Sequence, residues 1–237
     1  RYINVKQCRD VSMKGFSEEW NEIYGNNLQL TSWPWSDLIS LVYRYCDSVI
    51  SRKGAVFELG CGSGPNIPFI RSLGMSYYGV EGSRAVVEGI HQKFPELKEK
   101  VTTGDFTSID QFKSLPNIDI IIDRAAVTHN DLSSIKRTLE YGYNALNSGG
   151  YFIGVDWFST KHDDFKMGVS GGDKYTRTNI RSGQFTGVGC VHFSDEKHLR
   201  NIFVNFDIIS LEEKVIINYA TKNKHQFSSW NIVARKK

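Results

Sequence analysis

Short apolar runs alternate with helical patterns along most of the chain. The apolar runs predict seven strands, at 55–59, 76–80, 100–103, 118–123, 151–157, 206–211 and 230–234. Helical patterns lie between them at 66–73, 83–94 and 132–146, and two more, at 16–25 and 36–46, precede the first strand. Strands that alternate with helices are typical of parallel βαβ units, so the pattern predicts an α/β fold.

One segment interrupts this alternation. Residues 159–192, between the fifth and sixth predicted strands, are rich in glycine and polar side chains. Long irregular loops are uncommon inside compact domains and are often functional, so we predict a lid-like insertion here. A chain of 237 residues fits one α/β domain that carries such an insertion. We therefore predict a single domain over 1–237, in which residues 1–53 form an N-terminal helical cap.

Composition and charge narrow the class of protein. The chain has 29 Lys and Arg residues and 26 Asp and Glu residues. The net charge of +3 is too small to indicate a surface that binds nucleic acid. No apolar run approaches the roughly 20 residues of a membrane span, and the first residues lack the apolar core of a signal peptide. No Cys-x-x-Cys pair occurs among the scattered Cys8, Cys46, Cys61 and Cys190, so we expect neither a zinc site nor disulfides. These features predict a soluble, cytoplasmic protein without nucleic-acid or membrane partners.

A glycine turn follows the first predicted strand. The residues VFELGCGSG at 56–64 place an acid, Glu58, before three alternate glycines, Gly60, Gly62 and Gly64. One glycine usually suffices for a tight turn, so three indicate that a ligand lies against the backbone. In the dinucleotide fingerprint Gly-x-Gly-x-x-Gly the last glycine would fall at Pro65, and this departure weakens the interpretation as an NAD site.

Further polar residues follow the next three strands. Glu81 ends the second strand, where a carboxylate can accept hydrogen bonds from ribose hydroxyls of either NAD or adenosylmethionine. Asp105 and Phe106 follow the third strand, and Asp123 and Arg124 end the fourth. Each acid by itself could be an ordinary solvated residue. Because parallel strands end at the same edge of a sheet, together they predict a ligand site there.

The glycine turn and the acids that follow it resemble motif I and the succeeding motifs of class I S-adenosylmethionine-dependent methyltransferases, over about residues 17–237. The segment EEWNEIYG is similar to a Trp-x-x-x-Tyr segment at the start of many of these enzymes. The segments DRAAVTH and WPWSDL are similar to bacterial members that modify polysaccharides or small metabolites. The resemblance implies a Rossmann-like, seven-stranded sheet, mostly parallel, with helices on both faces and an antiparallel last strand.

The resemblance also implies S-adenosyl-L-methionine as the cofactor, a ligand that needs no phosphate cradle at the glycine turn. It implies that Asp105 binds the adenine amino group and that Phe106 packs on the adenine. The cofactor-binding residues that we predict are Glu58, Gly60, Cys61, Gly62, Gly64, Glu81, Gly82, Asp105, Phe106, Asp123 and Arg124. Trp33 and Trp35 either cap this pocket or pack between the N-terminal helices.

We predict methyl transfer to an oxygen, less readily a nitrogen, of a small polar acceptor such as a sugar or glycan precursor. An Asn-Pro-Pro-Tyr segment, typical of methyltransferases that act on nucleic-acid bases, is absent after the fourth strand. His129 and Asp156 are the candidate bases, although His129 could instead bond to backbone at a helix entry. Trp157 lines the acceptor pocket or belongs to the core. The alternatives are an NAD-dependent oxidoreductase and a non-catalytic adenosylmethionine-binding module.

The insertion offers donors for the acceptor. We predict that hydroxyls, or the anionic group of a phosphorylated metabolite or sugar nucleotide, bind to Lys174, Tyr175, Arg177 and Arg181, although a solvated basic loop is the alternative. His162, Asp163 and Asp164 are possible metal ligands. Adjacent residues on a loop rarely all turn to one ion, so we expect them to be solvated and predict no metal site.

Overall fold

The computed structural model describes residues 31–220, 222 and 224–237. The helix predicted at 16–25, Cys8 and the first part of the predicted cap lie outside the described residues. Two helices, α1 (Ser36–Tyr45) and α2 (Asp47–Ser51), precede the first strand. No described helix is long and apolar enough to cross a membrane.

A seven-stranded sheet forms the centre of the fold. Its strands are β1 (Ala55–Leu59), β2 (Ser76–Glu81), β3 (Val101–Thr103), β4 (Ile118–Arg124), β5 (Leu146–Phe158), β9 (Phe206–Ile217) and β10 (Gln226–Lys236). They lie in the order β3-β2-β1-β4-β5-β10-β9. Neighbours from β3 to β5 are parallel, and β10 is antiparallel to both β5 and β9. The prediction of a mostly parallel sheet with an antiparallel last strand is confirmed.

Helices cover both faces of the sheet because its strands are apolar on both sides. On one face, α1, α2, α3 (Ile67–Ser72) and α4 (Arg84–Lys93) pack in a cluster that includes Val56 of β1. On the other face, α5 (Asp110–Lys113), α6 (Leu132–Ala145) and α7 (Glu196–Ile202) pack with Phe57. Consecutive residues of β1 therefore enter opposite cores, as the alternation of side chains along a strand requires.

The insertion is more regular than the sequence suggested. It contains a 3-10 turn at Asp163–Lys166 and a small antiparallel sheet of β6 (Val169–Ser170), β7 (Thr176–Thr178) and β8 (Val191–His192). A separate apolar cluster, which includes Ile180 and Phe185, packs it against Phe158 at the end of β5. Gly168 allows close packing within the insertion: its φ is +73°, and a Cβ there would lie 2.5 Å from the Thr178 carbonyl oxygen.

Candidate active site

The glycine turn joins β1 to α3 with three residues in the left-handed region, since φ is +62° at Gly60, +51° at Gly62 and +75° at Gly64. A Cβ on Gly60 would lie 2.4 Å from the Cβ of Ala126, so this turn packs directly on the loop after β4. At Gly64 a Cβ would lie 2.4 Å from Ile67 Cδ1. Gly64 thus packs against the helix and does not line the cleft beside the turn, which corrects its predicted cofactor contact.

That cleft opens at the carboxyl ends of β1 to β4, where the sequence predicted a ligand site. Nine of the predicted cofactor residues line it: Glu58, Gly60, Cys61, Gly62, Glu81, Gly82, Asp105, Phe106 and Arg124. The cleft continues toward the insertion, where its lining includes His129, Asn130, Phe158, Gln184, Phe185 and Phe227. It therefore has a glycine-turn end and an insertion end.

Two backbone N–H groups orient the carboxylate of Glu81 in the cleft. Gly62 donates to Oε2 at 2.9 Å and Ser83 donates to Oε1 at 3.0 Å. Burial raises the pKa of Glu81, while these two hydrogen bonds favour its ionised form. Each carboxylate oxygen can accept a second hydrogen bond, so Glu81 can hold two neighbouring hydroxyls.

Asp105 is similarly fixed after β3. Its Oδ1 accepts hydrogen bonds from the backbone N–H and the hydroxyl of Thr107, both at 2.8 Å. Phe106 follows it on the wall of the cleft. An acidic group and an aromatic ring beside one another suit a flat heterocycle with an exocyclic amino group.

Glu58 organises the floor of the glycine turn from a buried position. It accepts hydrogen bonds from Asn66 Nδ2 at 2.7 Å and from the Tyr77 hydroxyl at 2.6 Å. Burial raises the pKa of Glu58 to about 7, and the nearby charges of Asp123 and Glu81 add to the effect. Sequence reasoning missed Asn66 and Tyr77, because neither stands at a strand end.

Asp123 and Trp157 belong to the core. The Trp157 Nε1 donates to Asp123 Oδ2 at 2.6 Å, and neither side chain is exposed. The other Asp123 oxygen accepts from the backbone N–H groups of Ala126 and Val127 at 3.1 and 3.0 Å. The predicted cofactor contact of Asp123 and acceptor contact of Trp157 are therefore wrong, since these groups are bonded to each other and to the β4 turn.

Asp156 is held by cations and is wrongly predicted as a base. Its Oδ2 accepts from Arg124 at 3.2 Å, and its Oδ1 accepts from Lys214 at 2.7 Å and from the Ser229 hydroxyl at 3.0 Å. Arg124 in turn lies 3.6 Å from the centroid of the Trp35 ring, at the edge of the cleft. Asp156 does not line the cleft, and it pairs with both Arg124 and Lys214.

His129 lies at the insertion end of the cleft, on the 3-10 turn Val127–His129. Its ring meets Phe158 and Phe185 edge to face, with centroids 5.5 and 6.2 Å apart. Burial lowers the pKa of His129 to about 4, with a contribution from the Arg124 charge, although a hydrogen bond to the Cys190 backbone opposes the shift. The imidazole is consequently neutral at pH 7; one ring nitrogen bonds to the Cys190 backbone, and Nδ1 is buried.

The basic residues of the insertion do not reach the cleft. Arg177 lies over the Phe165 ring and donates to three backbone carbonyls, while Tyr175 donates to Asp195. Lys174 and Arg181 are exposed. None of these four residues lines the cleft. Gln184, whose polar side chain the sequence offers as a donor, lines the cleft together with Phe185 and Val188.

Comparison with known proteins agrees with this geometry. A family model described as a methyltransferase domain matches residues 57–154. An uncharacterized methyltransferase of Bacillus cytotoxicus is 27% identical over 148 residues, which is 62% of this chain and 68% of that protein. Another, from Bacillus thuringiensis, is 25% identical over 161 residues, or 67% of this chain and 74% of that protein.

Two solved structures share the fold. An S-adenosylmethionine-dependent methyltransferase from Methanosarcina mazei matches with a TM-score of 0.64 and 16% identity, covering 86% of this chain and 98% of that one. An adenosylmethionine-bound amino pentose methyltransferase from Micromonospora echinaspora, involved in calicheamicin biosynthesis, matches with a TM-score of 0.57 and 14% identity, covering 94% and 98%. Residues 57–154 thus match a methyltransferase domain, and the chain shares the fold of S-adenosylmethionine-dependent methyltransferases. It is an enzyme whose cofactor is S-adenosylmethionine.

Proposed function

We propose that this methyltransferase acts on an oxygen, less readily a nitrogen, of a small, uncharged, polar acceptor such as a sugar or glycan precursor. The observation that carries the proposal is the position of His129, which lines the insertion end of the cleft beside Phe158 and Phe185, while Glu81 lines the other end. A proton acceptor is useful when the attacking group is a hydroxyl, because a hydroxyl is a weak nucleophile until its proton is removed.

At the glycine-turn end, Glu81 is the proposed ligand of the ribose hydroxyls, and Asp105 and Phe106 are the proposed ligands of the adenine. The two backbone N–H groups on Glu81 support this assignment, since they fix the carboxylate before any ligand arrives. Bound adenosylmethionine supplies an electrophilic methyl group. The protein's own task is then to hold the acceptor at reacting distance and to remove its proton.

At the insertion end, three aromatic rings surround a few polar groups. Phe158, Phe185 and Phe227 line the cleft together with His129 and Asn130. The Asn130 Nδ2 bonds to the Val127 carbonyl at 3.3 Å, while its buried Oδ1 has no hydrogen-bond partner among the described residues. An acceptor with a ring and several hydroxyl groups suits this lining, because aromatic side chains with a few well-placed polar groups are typical of small-molecule sites.

Charge favours an uncharged acceptor. Among the described residues that line the cleft, Arg124 is the one Lys or Arg, and it is paired with Asp156. The cluster of basic residues that suggested a phosphorylated acceptor lies outside the cleft. The amino pentose methyltransferase that shares the fold supports sugars as the first class to test. We also propose that residues 159–192 close the acceptor end, which Gln184, Phe185 and Val188 line.

The chain's own residues define the proton's route. The hydrogen bond to the Cys190 backbone orients the His129 ring, and the Phe158 and Phe185 rings exclude water around it. The remaining ring nitrogen accepts the acceptor's proton as methyl transfer proceeds.

The test is radiolabelled methyl transfer from adenosylmethionine to a panel of sugars, amino sugars and other hydroxylated metabolites, with product identification by NMR. We expect O-methylation, and a loss of turnover of about 100-fold or more in His129→Ala with unchanged cofactor affinity. His91→Ala is the matched control, because this half-buried histidine bonds to the Val101 carbonyl outside the cleft. Equal turnover in the two variants would contradict the role of His129.

A further inference from the structure

Behind the aromatic wall of the cleft, three potential metal ligands converge. His162 and Asp164 lie in the first residues of the insertion, and His225 immediately precedes β10. One ligand atom from each side chain lies within 4.8 Å of the other two. The Asp164 Oδ1 is 2.9 Å from His225 Nε2 and 3.9 Å from His162 Nδ1. These three residues are called the His–Asp–His cluster below.

The cluster differs from the loop residues considered in the sequence. His162 and Asp164 are fully buried, so the expectation that they are solvated is wrong. Asp163 turns away, because its Oδ2 accepts from the Gln226 backbone N–H at 2.7 Å. His225, which lies 61 residues beyond Asp164 in the chain, takes the third position.

Neighbouring groups fix the direction of the Asp164 carboxylate. Its Oδ2 accepts a hydrogen bond from the Phe185 backbone N–H at 3.1 Å, so Oδ1 faces the two histidines. Gly183, with φ of +92°, provides the space, since a Cβ there would lie 2.4 Å from Oδ1. Hydrogen bonds from outside the ligand set commonly orient metal-binding carboxylates in this way.

Both histidines are already hydrogen-bonded within the cluster. The His162 Nδ1 accepts from the Asp164 backbone N–H at 3.1 Å, so a metal ion bound to this nitrogen would replace that hydrogen bond. The His225 Nε2 donates to Asp164, and a bound cation would release this proton. About a third of the His225 side chain is exposed, which gives an ion a path from solvent.

We propose that the His–Asp–His cluster binds a first-row divalent transition metal ion. Two imidazoles and a carboxylate are borderline donors that suit Zn²⁺ and its neighbours, and bonds of about 2.0–2.2 Å require ligand atoms roughly 3–3.5 Å apart. The two distances from Asp164 to the histidines, 2.9 and 3.9 Å, lie on either side of that range, and all three ligand atoms lie within 4.8 Å of one another, so the side chains would move together to close on an ion.

Such an ion would fix the acceptor end of the cleft without touching it. The His162 ring packs on Phe185 and Phe227, with centroids 5.0 and 5.2 Å apart, and both phenylalanines line the cleft. Because the cluster joins the insertion to the start of β10, metal binding would stabilise the insertion against local opening.

The test is titration of chelator-treated full-length protein with Zn²⁺, followed by calorimetry and by the rise in melting temperature, with Co²⁺ absorption to report the donor set. We expect one equivalent to bind, and His225→Gln to weaken binding by at least about 100-fold. His225 is the residue to change first because it is partly exposed. His91→Gln and His198→Gln are the matched controls, the latter because His198 lies 2.9 Å from His192 in a second histidine pair.

Three outcomes decide the proposal. Loss of the tight site in His225→Gln and in Asp164→Asn, with both controls unchanged, supports it. Zn²⁺ binding of equal affinity in wild type and His225→Gln overturns it, as does loss of binding in His198→Gln alone. The readout is metal binding, so failure here is distinguishable from failure of the proposed methyl transfer.

Discussion

The pH dependence of turnover provides a sharp test of His129. At pH 5.5 a histidine with the ordinary pKa of 6.5 is about 90% protonated, whereas one with a pKa of about 4 is about 3% protonated. A base that is neutral at pH 5.5 therefore retains nearly full activity, while an unperturbed histidine would lose about tenfold. We expect turnover under saturating substrates to stay level from pH 8 down to about pH 5, because burial keeps the folded-state pKa low.

The assay is single-turnover methyl transfer across this pH range, with circular dichroism at each point. Circular dichroism is needed because protonation of His129 also affects stability. Between pH 6.5 and about 4, His129 is protonated in the unfolded chain but not in the folded protein. The free energy of unfolding therefore falls as the pH falls through that range. In the folded wild type, a rate that falls with a midpoint between pH 6 and 7 would contradict a lowered His129 pKa, provided that the residual activity of His129→Gln does not show the same fall. Glu58→Gln and Asp123→Asn are the controls for the two buried acids whose pKa values are about 7.

Three further substitutions test the site. Glu81→Ala should lose about 1–3 kcal/mol of adenosylmethionine affinity by calorimetry, and the exposed Glu88→Ala should lose none; equal affinities would exclude the ribose contact. Trp157→Phe should lower the free energy of unfolding in urea by about 1–3 kcal/mol, since it removes a donor from a buried carboxylate, and unchanged stability would contradict that bond. Phe185→Ala should raise the KM for the acceptor, because Phe185 lines the cleft, whereas the exposed Arg181→Ala should not. The reverse result would indicate that the acceptor binds at the basic residues of the insertion.

The fold was predictable because its signals are local. The apolar run at 55–59 coincides with β1, since both faces of that strand are buried. The outer strands are longer than predicted: β9 extends from the predicted 206–211 to Ile217, through residues that are only partly buried or exposed. A half-exposed strand has a weaker apolar pattern, so its end was missed.

The site was predictable only to the level of the sheet edge. The rule that parallel strands end together placed Glu81, Asp105 and Arg124 at the cleft. It does not specify which face a strand-end side chain enters, and Asp123, beside Arg124, turns to Trp157 in the core. A shift of one residue reverses the face, so spacing along the chain could not separate the two.

The insertion was least predictable because its contacts are between distant residues. Phe185 and Phe227 meet in one wall, and His225 reaches Asp164, only after the insertion packs on β10. Glycine-rich composition predicted an open lid, although Gly168 and Gly183 are there because neighbouring atoms leave no room for a Cβ. Amino-acid composition predicts neither the contacts between distant residues nor the lack of space for a Cβ.

The most direct test of the whole account is a single assay of where the methyl group goes. Wild-type protein is incubated with methyl-labelled adenosylmethionine and the panel of neutral hydroxylated metabolites, beside RNA, DNA and protein substrates, and His129→Ala is assayed in parallel. The account predicts label on the oxygen of a small neutral acceptor, with a loss of about 100-fold or more in the variant. Label found only in the macromolecular fractions, or equal transfer by His129→Ala, would contradict it.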